Sequence, residues 1–147
     1  RVVDRDVRGV RAALRDWAYA PCDAMRVAET SCEALGPEFD AQVAALADLA
    51  ERRDVPGLRQ AVDTWSFWGE DPAVLQASAV AEELGPEYDR QAALMAGAIE
   101  AQHIPQLRGV VEAWMFDDAG TKVARARLEG WGPEHDKRTE ELGAAVR

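Results

Sequence analysis

Apolar positions along the chain recur at intervals of three and four, the spacing of amphipathic helices. In the middle third, Val55, Leu58, Val62 and Trp65 fall on one helical face of a stretch running over 55–68. Asp54 ahead of it predicts an N-cap, and Pro56 suits a first turn. A second stretch, 72–84, opens with Asp71-Pro72, a cap followed by proline at the first helical position, and meets Gly85 where helices commonly stop. A third begins at Pro86, places Glu87 and Asp89 in a first turn where carboxylates oppose the helix dipole, and continues through Leu94, Ala98 and Ile99. No period-two alternation and no Asn-Gly hairpin signal interrupts these stretches. The expectation is an all-α fold.

The same pattern returns twice more. Gly36-Pro37-Glu38-Phe39-Asp40, Gly85-Pro86-Glu87-Tyr88-Asp89 and Gly132-Pro133-Glu134-His135-Asp136 are spaced by 49 and 47 residues. Trp17-Ala18-Tyr19, Trp65-Ser66-Phe67 and Trp114-Met115-Phe116 keep the same beat. Such a period marks a repeat architecture. Aligning Asp6-Val7-Arg8 with Asp54-Val55-Pro56 and His103-Ile104-Pro105 cuts the chain into units 1–53, 54–102 and 103–147. Three whole units, as one natural domain would have, predict nine helices stacked as a short solenoid-like domain. The Gly-Pro-Glu segment is read as the break between the second and third helices of each unit.

Residues shared by all three units answer a shared packing need. Trp17, Trp65 and Trp114 are therefore expected in equivalent buried positions. Arg11, Arg59 and Arg108 are expected to pair across helices with Glu33, Glu82 and Glu129, or with Asp40, Asp89 and Asp136.

Val55-Pro56-Gly57-Leu58, followed by Asp71-Pro72-Ala73-Val74-Leu75-Gln76-Ala77-Ser78-Ala79, resembles the second and third helices of armadillo and HEAT repeats; Ile104-Pro105-Gln106-Leu107 carries part of it in the third unit. Arg8 departs from it, standing where the proline should be. The groove-lining asparagine of armadillo repeats is missing, since the chain has no Asn, and the tryptophans lie on the first helix instead of the third. The resemblance implies a right-handed helical stack with a protein- or peptide-binding face.

Composition narrows the function. With 48% apolar and 30% charged residues, the chain is globular in composition, and no stretch approaches the roughly 20 apolar residues of a membrane span. No basic-then-apolar segment opens it. Arginine dominates lysine and Asn is absent, as in proteins of GC-rich bacterial genomes. Cys22 and Cys32 lie ten residues apart on one expected helix, roughly 15 Å at 1.5 Å per residue, too far for a disulfide. Free thiols point to a reducing, cytoplasmic setting. His103 and His135 are the only histidines, and no His-Glu-x-x-His or Glu-x-x-His pairing accompanies them, so neither a metal site nor an acid–base site is expected. The expectation is a non-enzyme without cofactors.

The net charge of −10 is unevenly spread: 8 basic against 10 acidic residues in the first unit, 2 against 9 in the second, 7 against 8 in the third. Phe67, Trp68, Glu70 and Asp71 cluster at one helix–helix turn of the second unit, and Glu82, Glu83 and Glu87 at the next joint. Trp68 stands where the other units have Ala20 and Asp117, so no shared packing demand calls for it. Rings beside carboxylates suit a cationic partner. The expected role is an adaptor binding a basic protein segment or peptide on these seven residues. Sequestering a cationic aromatic compound, or neutralising a basic toxin, are the alternatives. Arg1, Arg5, Arg8 and Arg15 make the first helix basic on one side, to be read as a solvated end cap of the stack or as a surface that meets the acidic centre of another copy. Lys122, Arg125 and Arg127 form a smaller patch; on a net acidic chain neither argues for nucleic acid.

Overall fold

The computed structural model describes residues 5–147; Arg1 of the basic first-helix set lies outside them. The fold is all-α, with no strand among the described residues. A short helix and a long one alternate: α1 (Val7–Arg15), α2 (Asp23–Glu51), α3 (Val55–Asp63), α4 (Pro72–Glu100), α5 (Ile104–Glu112) and α6 (Lys122–Val146), with a 3-10 turn (Asp118–Thr121) ahead of α6. Three elements per unit were expected; two are found, because the predicted second and third helices are one.

The Gly-Pro pair explains the fusion. Proline normally forces the preceding residue out of the helical region because its ring collides with that residue's Cβ. Gly36, Gly85 and Gly132 have none, so the helix continues through Pro37, Pro86 and Pro133. All three prolines face solvent, as do Glu33, Glu82 and Glu129 four residues earlier, so water can reach the carbonyls that lose an amide donor. The glycines have a second duty. A Cβ on Gly36 would lie 2.6 Å from Nη2 of Arg11, and one on Gly132 3.0 Å from Nη2 of Arg108. Each guanidinium crosses the glycine and forks onto the aspartate one turn on: Arg11 to Asp40 at 2.7 and 2.9 Å, Arg108 to Asp136 at 2.9 and 2.8 Å. The expected arginine pairs thus choose aspartate over glutamate in both forks.

Long and short helices meet in a tight joint. Arg53 and Gln102 take left-handed φ values of 56° and 51°. This lets Asp54 N reach Leu49 O and His103 N reach Ala98 O, the Schellman closure of a helix end. Asp54 then caps α3 through Gly57 N at 2.9 Å, and His103 caps α5 through Nδ1, which accepts from Gln106 N at 3.1 Å. One residue ends a helix and starts the next.

The described chain forms two compact units, Arg1–Glu83 and Leu84–Arg147. In the first, Leu46, Leu58, Val74 and Ala77 form one apolar core, and Val7, Phe39 and Phe67 another. In the second, Met95, Ala98, Leu107 and Ala124 are buried together. Each unit also holds a triangle of mutually edge-on rings. Phe39, Trp65 and Phe67 have centroids 6.0, 5.3 and 5.6 Å apart. Tyr88, Trp114 and Phe116 repeat this at 5.7, 5.4 and 5.4 Å. The ring of a Gly-Pro-Glu motif thus packs on the Trp-x-Phe motif of the following repeat.

Trp65 and Trp114 pack against the apolar clusters, but from a turn and not from a helix face. Each short helix ends before its Trp, at Asp16, Thr64 and Ala113, so α3 is shorter than the expected 55–68. The indole instead staples the turn: Nε1 donates to the carbonyl three residues on, Trp17 to Ala20 at 3.3 Å, Trp65 to Trp68 at 3.0 Å and Trp114 to Asp117 at 2.9 Å. Trp65 and Trp114 are half-buried, whereas Trp17 is 41% exposed. The difference is the third ring, which Trp17 lacks among the described residues.

Candidate functional site

The turn between α3 and α4 carries four of the seven candidate residues, and the fold sorts them into two kinds. Phe67 is buried in the ring triangle, with the Arg5 guanidinium 4.6 Å from its centroid. Asp71 is 1% exposed. It accepts from Ala73 N at 2.9 Å as the cap of α4, and takes the fork of Arg8 at 3.0 and 3.2 Å. That contact, charge-assisted, raises the Arg8 pKa above its ordinary value. Neither Phe67 nor Asp71 is open to a partner; both build the turn. Trp68 is half-buried and its carbonyl receives the Trp65 indole, while Glu70 stands exposed beside it.

Glu82 and Glu83 are exposed on α4, on the order of 15 Å along the axis from its first residue, so they do not share the Trp68 turn. Glu87, in the second compact unit, is already engaged: Arg90 donates to it at 2.6 and 2.9 Å and Gln91 Nε2 at 3.0 Å. The Arg90 hydrogen bond holds its pKa below the usual carboxylate range. The seven residues are therefore not one cluster.

What they leave is a pattern of charge. Asp40, Asp71, Glu87 and Asp136 are each answered by a guanidinium. Asp40 is held below its ordinary pKa by the Arg11 fork, and Asp136 is lowered to about 2 by the Arg108 fork and then by His135. Glu70, Glu82 and Glu83 have no ion-pair partner among the described residues.

Two grooves accompany this surface. One of about 270 Å³ runs between α2 and α4 and is lined by Val43, Leu46, Ala50, Ala77 and Val80; one of about 260 Å³ lies between α4 and α5 beside Gln91, Leu94 and Val110. Trp68 lines neither of these two grooves. Among the described residues, no group of three His, Cys, Asp or Glu side chains is arranged to hold a metal ion, and no helix is long and apolar enough to cross a membrane.

The contact that the sequence hid is Arg8–Asp71. Arg8 is the first unit's exception to a proline position, and Asp71 replaces Cys22 and Thr121 as the residue before the long helix. The two exceptions meet. Matching the departures of adjacent units with one another would have found the pair. Comparison with known protein families, with curated proteins and with solved structures finds no match.

Proposed function

We propose that the protein is a non-catalytic binding module of the helical-repeat kind, working in a reducing compartment such as the cytoplasm, and that it takes a basic protein segment on the unpaired carboxylates of its middle repeat. The observation that supports this reading is the contrast just described. Asp40, Asp71, Glu87 and Asp136 are among the carboxylates paired with arginine, while Glu70, Glu82 and Glu83 face solvent unpaired in the repeat that carries seven of the ten net negative charges. Trp68, half-buried beside Glu70, leaves part of its indole accessible to an arginine or lysine side chain. A basic toxin would meet the same surface as any other basic segment.

The test is isothermal titration with an arginine- and lysine-rich peptide as probe. The Glu70→Gln/Glu82→Gln/Glu83→Gln variant should bind about tenfold more weakly, the sum of three partly screened contacts. Trp68→Ala should weaken binding further without unfolding the chain, and affinity should fall as salt rises. A control variant, Glu129→Gln/Glu140→Gln/Glu141→Gln, removes as much charge elsewhere. Equal losses in both triple variants would mean non-specific attraction and end the reading.

A further inference from the structure

We propose that the groove between α2 and α4 seats a basic amphipathic helix of a protein partner, with its apolar face in the groove and its lysine or arginine side chains against Glu51 and Glu83. The inference rests on the reading above for the partner's charge, and adds its shape and its seat. The groove belongs wholly to the first compact unit and holds about 270 Å³. Seven of its eight lining side chains are apolar, Gln76 being the eighth, and four are alanines: Ala47, Ala50, Ala73 and Ala77. Leu46 and Ala77 are buried in its floor, whereas Ala47 and Gln76 are exposed on its two rims. The walls run over 43–50 and 73–80, about 10 Å or two helical turns. Such short side chains let a third helical rod approach the other two closely. A helix also satisfies its own backbone, whereas an extended strand finds no free backbone partners between two helices.

The charge at one end of the groove fits the same occupant. Phe39 on α2 meets Phe67 just ahead of α4, and Leu46 shares a core with Val74, Ala77 and Ala81. The two helices therefore run along the groove in the same direction, and Ala50 and Val80 mark one end of it. Glu51 lies one turn past Ala47, and Glu83 one turn past Val80, each on the groove side of its helix by helical spacing. Both are exposed, and neither has an ion-pair partner among the described residues. The neighbouring Arg52 is turned to Asp48, at 3.0 Å. α2 ends here as well, so its C-terminal dipole adds to the negative potential. An uncharged trough thus opens onto an acidic end, the complement of a helix with an apolar stripe and cations one turn beyond it. Packing of the long helices does not call for this acid. Aligned on the Gly-Pro pairs, α6 has Arg127 in the place of Val80 and Gly130 in the place of Glu83.

Isothermal titration with two probe peptides of about 18 residues tests this, a length at which an isolated helix is no longer marginal. Both contain the same Leu, Ala and Lys residues. One places Leu at helical spacing along a single face with Lys one turn beyond; the other is scrambled so that no face is apolar. The patterned peptide should bind roughly tenfold more tightly and gain helical circular dichroism on mixing. Ala47→Gln puts a longer, neutral, helix-compatible side chain on the exposed rim and should remove that advantage. Ala45→Gln, at an exposed position of α2 outside the groove, should leave it intact. Glu51→Gln/Glu83→Gln should weaken the patterned peptide about threefold, as two exposed ion pairs would. Equal binding of the two peptides overturns the helical seat while leaving the basic-segment reading in place, as does an advantage that survives Ala47→Gln or binding that Glu51→Gln/Glu83→Gln leaves unchanged. Binding of neither peptide overturns both.

Discussion

Asp71 offers the sharpest check on how the middle turn is held. Its carboxylate has two tasks, capping α4 through Ala73 N and receiving Arg8. Losing the cap costs about 1 kcal/mol. Breaking a buried ion pair costs more when the survivor is stranded, and the two partners differ in this respect. Side-chain exposure is 49% for Arg8 but 2% for Asp71. With Asp71→Ala, Arg8 returns to water and the pair adds only about 1 kcal/mol to the loss of the cap, a total of about 2 kcal/mol. With Arg8→Ala, the carboxylate is left in its pocket with only one amide donor, and the cost is on the order of 2–3 kcal/mol although no cap is touched. Asp71→Asn keeps a capping side chain and removes the charge, at about 1 kcal/mol. The Arg8→Ala/Asp71→Asn double variant should therefore be more stable than Arg8→Ala alone. Urea denaturation followed by far-ultraviolet circular dichroism gives all four values. If Asp71→Asn adds to the damage of Arg8→Ala instead of relieving it, the carboxylate is not stranded and the reasoning fails.

Asp136 predicts a pH dependence. Its folded pKa, about 2, lies below the ordinary 3.8, so the unfolded chain binds the proton more readily. The Arg108–Asp136 contribution should be complete above about pH 4 and lost as pH falls toward 2; the stability gap between wild type and Asp136→Asn, measured across that interval, should close. The tryptophans should also differ in cost. Trp65→Ala removes two ring contacts and the indole staple and should cost about 2–3 kcal/mol, whereas Trp17→Ala should cost below about 1 kcal/mol; equal losses in thermal melts would contradict the ring-triangle account.

Helix class, the caps at Asp54 and His103 and the register of the repeated motifs were legible in the sequence, because apolar spacing and cap chemistry are local. The continuity of α2, α4 and α6 was not, since proline outweighs its neighbour in any simple reading; the glycine before each proline was the clue, as it removes one of the clashes that proline brings to a helix, the one with the preceding Cβ. Phe67 was misplaced for a different reason. It repeats Tyr19 and Phe116, and repetition itself marks packing, yet its proximity to the non-repeating Trp68 drew it into the candidate surface. Asp71 was lost to a contact 63 residues away, which no local pattern carries. Exposure separated Glu70, Glu82 and Glu83 from the rest, and exposure is decided by tertiary packing.

The ring triangles have a consequence for how the chain can be divided. The sequence repeats at Asp54 and His103, but Phe39 finds its partners at Trp65 and Phe67, beyond the first of these boundaries. Motif and packing are out of phase by about half a period. A fragment cut at a sequence boundary would carry away a long helix with its aromatic side bare, and would leave behind a turn without its lid. A protease that nicks between α2 and α3 would cut the chain between Phe39 and the two rings it packs against. The indivisible module is the second half of one repeat joined to the first half of the next, and experiments with shortened chains should place their ends inside the helices' repeats, not between them.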